Sequence, residues 1–152
     1  MKHLLATLFL FCVTQLLSVA ASAQVYPASA KAIPLEPRYL ARIELNSPSE
    51  LKDALLRAQA LANDTQPNYP IAFVLHGNEV YSLLNENRKD HPALFQLAED
   101  LSQQNVVRIQ VCNSWLDWKK INNGQLPDFI DQVEYAPKEI ERLIQKEGYT
   151  YF

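Results

Sequence analysis

Cys112 is the residue of this 152-residue chain best placed to act as a nucleophile. It closes the apolar run Val106, Val107, Ile109, Val111 and is followed by the polar step Asn113-Ser114. A second apolar run, Ile71 to Leu75, ends in His76-Gly77-Asn78. In open α/β sheets ligands bind beyond the carboxyl ends of the strands, where helix N-termini attract anions and stabilise a thiolate. If the two runs are neighbouring strands, Cys112 and His76 meet at one edge. His76 would polarise the thiol or balance its anion. Gly77 permits close backbone approach, and Asn78, Asn113, Ser114 and the indole of Trp115 would line a pocket around the sulfur.

Each of these residues also has a structural reading. A strand-end cysteine is often a small buried hydrophobe. An isolated histidine there commonly makes one fixed hydrogen bond, and Trp115 and Trp118, three apart, suit helix packing or an interface. Lys119 and Lys120 read as a solvated edge. Other chemistries find little support. His76 and His91, with one cysteine, lack the close spacing of a zinc site. Gly77, Gly124 and Gly148 form no phosphate loop, and Glu79 and Glu86 read as solvated surface rather than an acid/base pair. No metal or cofactor is expected.

The N-terminus carries Lys2, a mostly apolar stretch from Leu4 to Leu17, and the small-residue step Ala21-Ser22-Ala23. This reads as a signal peptide over 1–23, with the mature chain starting at Gln24 and no membrane contact after cleavage. The protein would then be periplasmic or secreted, and Cys12 would leave with the signal. A lone thiol in an oxidising compartment is buried and inert, paired between chains, or reactive. Loss of Lys2 takes the formal charge from −3 to −4, a balance that does not seek nucleic acid. About 129 residues remain, enough for one domain with a real core and too few for two.

Residues 24–38, with Pro27, Pro34 and Pro37 among small residues, read as an extended arm or linker. The domain over 39–152 alternates strand-like and helix-like runs. Tyr39 to Leu45 is the first predicted strand. Ser47, Pro48 and Glu50 start a helix as cap, first-turn proline and capping-box partner, and Leu51, Ala54, Leu55, Ala58 and Leu61 give it one buried stripe. Ile71 to Leu75 is apolar at every position, as in a strand covered on both faces. A short helix over Tyr81–Asn87 precedes a firmer one introduced by Asp90 and Pro92. Val106 to Val111 is the next strand, followed by a short helix with both tryptophans, a strand over Gln132–Tyr135 and a helix from Pro137 to Gly148. Tyr149 to Phe152 supplies a fifth strand. This order requires crossovers, so the expected fold is a single-domain three-layer α/β/α structure with a mainly parallel five-stranded sheet.

An apolar strand ending in His-Gly, a second ending in Val-Cys-Asn, and the tail Glu139-Ile140-Glu141-Arg142-Leu143-Ile144-Gln145-Lys146-Glu147-Gly148-Tyr149-Thr150-Tyr151-Phe152 together resemble the DsrE/DsrF-like family, in its small exported members. The resemblance spans 39–152. It implies a parallel α/β sheet and a homo-oligomer, trimer or hexamer. Family members of sulfur relays carry a persulfide on a cysteine that maps onto Cys112, and the His-Gly step maps onto His76 and Gly77. The resemblance thus implies a sulfurtransferase or sulfur-carrier component with a donor or acceptor protein as partner. The turn Tyr135-Ala136-Pro137-Lys138 departs from the family, whose members commonly carry a small residue and glycine there. The alternative is a non-catalytic oligomeric protein that binds a small ligand while Cys112 merely packs.

Overall fold

Among the described residues five short strands and four α-helices alternate: β1 (Arg38–Leu40), α1 (Pro48–Thr65), β2 (Ile71–Leu75), α2 (Pro92–Gln103), β3 (Val107–Cys112), α3 (Asn113–Lys119), β4 (Ile130–Val133), α4 (Ala136–Glu147) and β5 (Tyr149–Tyr151). They belong to a computed structural model that describes residues 36–152. The signal peptide expected over 1–23 and most of the arm expected over 24–38 lie outside the described residues.

The strands form one sheet in the order β4-β3-β2-β1-β5, every neighbouring pair parallel. The expected three-layer fold is therefore present. Three connections step the same way across the sheet, from β1 to β4. Right-handed crossovers put α1, α2 and α3 on one face. The last connection returns across the whole sheet to β5 and puts α4 on the opposite face. α1 accordingly packs on α2, while α4 packs on β2 and β5. Consequently β2 is the central strand and all five of its residues are buried, as its unbroken apolar run requires. On β3, Val107, Ile109 and Val111 alternate with Arg108, Gln110 and Cys112, and Gln110 and Cys112 bond to α4.

Local signals account for most boundaries. Ser47 caps α1 by accepting from the Glu50 N–H at 3.2 Å, with Pro48 at the first helical position. The expected capping box forms only by half. Glu50 reaches past Ser47, and its two oxygens accept from the N–H groups of Glu44 and Leu45, each at 2.7 Å. This explains why the first strand is shorter than the predicted Tyr39–Leu45: after Ala41 bonds to Ala72, the chain leaves the sheet and is held by the helix. Gly148 ends α4 with φ at 74°, a left-handed conformation that suits glycine.

Other elements differ from expectation. The short helix predicted over Tyr81–Asn87 is two 3-10 helices, Asn78–Leu83 and Asn85–Asn87. The cap position of α2 is His91 rather than Asp90, without a side-chain bond. β4 lies two residues before the predicted Gln132–Tyr135, because Ile130 is the apolar residue that pairs with Ile109.

Candidate functional site

At the carboxyl end of the sheet, β3 and β4 are neighbours whose outgoing connections go to opposite faces. This is the topological switch point where α/β sheets open a crevice. Cys112 ends β3 and pairs with Val133 at the end of β4. Two residues beyond Val133 the chain turns into α4, and the Ala136 N–H at the start of that helix donates to Cys112 Sγ at 3.4 Å. The sulfur thus lies on the N-terminal end of a helix 24 residues further along, not of the helix that Cys112 itself begins. Main-chain donors and the helix dipole at such an end favour negative charge on sulfur. The thiol is only 4% exposed.

The crevice is closed by residues from both walls. The Ser114 N–H and hydroxyl both donate to the Glu134 carbonyl, at 3.2 and 2.8 Å, tying the first turn of α3 to the exit of β4. Beneath Cys112 on the same face, Gln110 is buried and donates to Glu139 at 3.5 Å. Arg142 grips the same carboxylate with Nε and a terminal nitrogen, at 2.8 and 2.7 Å, and also bonds Glu147. That grip holds the Glu139 carboxyl below its ordinary range, against the opposing effect of burial. A cavity of about 180 Å³ lies beside this cluster, bounded by Val133, Glu134, Tyr135, Lys138, Glu139 and Arg142. A larger cavity, about 500 Å³, lies elsewhere, between Arg88, Phe95, Glu99 and Phe129, and contains no nucleophile.

β2 and β3 are adjacent, with Leu75 opposite Val111, so His76 and Cys112 each follow the last paired residue of neighbouring strands. His76 is half-buried and its main-chain N–H donates to Glu79 Oε1 at 3.0 Å. The Gly77 N–H donates to the same oxygen at 3.0 Å. Glu79 is therefore not the solvated surface carboxylate read from the sequence: it is wholly buried. Its side chain folds back on the loop that carries it and absorbs two N–H groups that the end of β2 leaves unpaired. Gly77 is required by contact, since a Cβ there would collide with the Asn46 side chain from the loop after β1.

Asn78 is exposed and begins a 3-10 helix, while Asn113 buries its Oδ1. Trp115 is buried and meets Tyr81 edge to face at 5.3 Å. Trp118 stands 72% exposed with the Lys119 ammonium 4.0 Å above its ring. Glu79, Asn46 and the Ala136 N–H are the participants that sequence reasoning missed. Asn46 carried a weak signal in its place just before the helix-capping Ser47, whereas the main-chain donor at Ala136 carried none.

No family model matches the chain, and no curated protein matches it. Solved structures do. One is a protein of unknown function, MTH1491 of Methanobacterium thermoautotrophicum, with a TM-score of 0.64 at 20% identity over 77% of this chain and 98% of that one. The chain has the same fold. A second is the ychN protein of E. coli, with a TM-score of 0.54 at 18% identity over 76% of this chain and 99% of that one. At these identities the likeness shows the fold alone.

Proposed function

We propose that the protein is an exported DsrE/DsrF-like sulfur handler in which Cys112 accepts sulfane sulfur as a persulfide. The observation that carries this reading is the Ala136 N–H donating to Cys112 Sγ at the start of α4, which sets a main-chain donor and a helix N-terminus against the sulfur. The thiolate attacks the outer sulfur of thiosulfate, a new S–S bond forms, the old one breaks, and sulfite leaves with the electron pair. With a polysulfide, the shortened polysulfide leaves instead. His76, one residue past the last β2–β3 pair, is the candidate to balance the anion, and Asn113 and Ser114 frame the entrance. Passage of the sulfur to an acceptor protein, assembly into a trimer or hexamer, and residence in the periplasm complete the proposal.

The test is intact mass after thiosulfate or polysulfide treatment. The protein is expected to gain the mass of one sulfur atom, and Cys112→Ser is expected to gain none. Absence of the adduct from the parent protein would overturn the reading.

The burial of Cys112 favours a second reading, a non-catalytic oligomeric protein that binds a small ligand at the strand ends while the thiol packs. Slow alkylation of Cys112 in the native protein would support it, and rapid alkylation at neutral pH would reject it.

A further inference from the structure

Four side-chain oxygens are buried without a hydrogen-bond partner among the described residues: Asn46 Oδ1, Glu79 Oε2, Ser102 Oγ and Asn113 Oδ1. Ser102 lies near the end of α2, but the other three share one region. Asn46 lies in the segment leaving β1, Glu79 in the segment leaving β2, and Asn113 directly follows β3, and these three strands are adjacent. Buried oxygens without donors are uncommon in folded proteins, because each has given up its water.

Gly77 links two of them. The Asn46 side chain occupies the space that a Gly77 Cβ would need, and Asn46 adopts φ of 51° to reach it. The Gly77 N–H holds Oε1 of Glu79, which fixes the carboxylate with its other oxygen bare. Gly77 and Asn113 each lie two residues past the last β2–β3 pair, Leu75 and Val111. The result is three unpaired acceptor oxygens at three neighbouring strand ends, one of them on a carboxylate. Asn46, His76, Gly77 and Asn113 are all partly solvent-exposed, so the cluster is covered but not sealed.

The complement of such a set is a singly charged group that brings donors. A primary ammonium has one positive charge and three N–H donors. We propose that this rim is a binding site for the primary ammonium group of a small ligand, with Glu79 Oε2 as the charged anchor and Asn46 Oδ1 and Asn113 Oδ1 as the remaining acceptors. The site does not include the thiol, and it shares Asn113 with the entrance to Cys112.

Thermal unfolding of the full protein tests this with methylammonium chloride as probe, against tetramethylammonium chloride at equal ionic strength. The second cation has the same charge and no N–H donor. Methylammonium is expected to raise Tm in a saturable way and tetramethylammonium is not. Equal responses would overturn the proposal, and an equal rise with potassium chloride would overturn it in favour of an alkali-metal site. Glu79→Gln keeps one oxygen for the His76 and Gly77 N–H groups and puts donors where Oε2 stands. It is expected to retain or raise Tm without ligand and to weaken the methylammonium response by at least about tenfold, the loss of a charged hydrogen bond. Asn46→Gly, which suits the left-handed backbone, is a second variant expected to fold and to respond more weakly. Unchanged responses in both variants would also reject the site.

Discussion

The Ala136 N–H and the Cys112 thiol meet at 3.4 Å, across the seam where β3 and β4 send their chains to opposite faces of the sheet. One contact therefore links the candidate nucleophile Cys112 to α4, the helix that among the described residues covers its face. It makes the thiol a hydrogen-bonded part of the core as well as a candidate reactive group. Cys112→Ala should remove the sulfur, leave a small cavity and strip the Ala136 N–H of its acceptor. A loss of about 1–3 kcal/mol in urea unfolding is expected. A change within error would mean that the contact contributes nothing to stability.

Gly77 and Asn46 are coupled by shape. Gly77→Ala should destabilise by about 1–3 kcal/mol, because two loops must move to admit one methyl group. In an Asn46→Gly background the same substitution should cost much less, since the obstructing side chain is gone and glycine accepts the left-handed backbone. A double-mutant cycle by chemical denaturation measures the coupling, and strict additivity would contradict the packing described.

Glu50 serves the loop before α1 more than its cap. Glu50→Ala removes the acceptor of two main-chain N–H groups, whereas Ser47→Ala removes the acceptor of one. The expected costs are about 2 kcal/mol for Glu50→Ala and about 1 kcal/mol for Ser47→Ala. The order of the two melting temperatures decides it.

The Glu139–Arg142 pair predicts an acid dependence. The folded carboxyl titrates below its ordinary value of 4.5, first because of its hydrogen bond to Arg142. A depressed folded value means the unfolded chain binds the proton more readily. The stabilisation is therefore present above the unfolded value and is lost as pH falls through the folded one. Melting temperature should drop more steeply below the ordinary value of 4.5 in the parent than in Arg142→Met. Parallel curves would show that the pair contributes nothing, as many half-exposed ion pairs do.

The two tryptophans should behave oppositely. Trp115→Ala opens a void against Tyr81 and should cost about 3–5 kcal/mol. Trp118→Ala exposes nothing in the single chain and should stay within about 0.5 kcal/mol by the same denaturation assay.

The sequence by itself determined the order and type of the elements. An unbroken apolar run makes β2 a strand covered on both faces, and Ser47-Pro48 starts a helix. Gly148 ends one. These signals are local: a periodicity, a cap and a left-handed stop are each complete within a few residues. The alternation of strands and helices then implied a parallel sheet and put Cys112 and His76 at strand ends. Only the tertiary structure decided what those ends meet. Ala136 reaches Cys112 because the last connection crosses the sheet on the face opposite the other three, and no local pattern specifies that return. Glu79 shows the limit in another way. Its partners, His76 and Gly77, are three and two residues away, yet its polar neighbourhood reads as surface. Burial came from the 3-10 helix that carries it packing on α1 and α2, a contact between distant segments that a window of sequence does not contain.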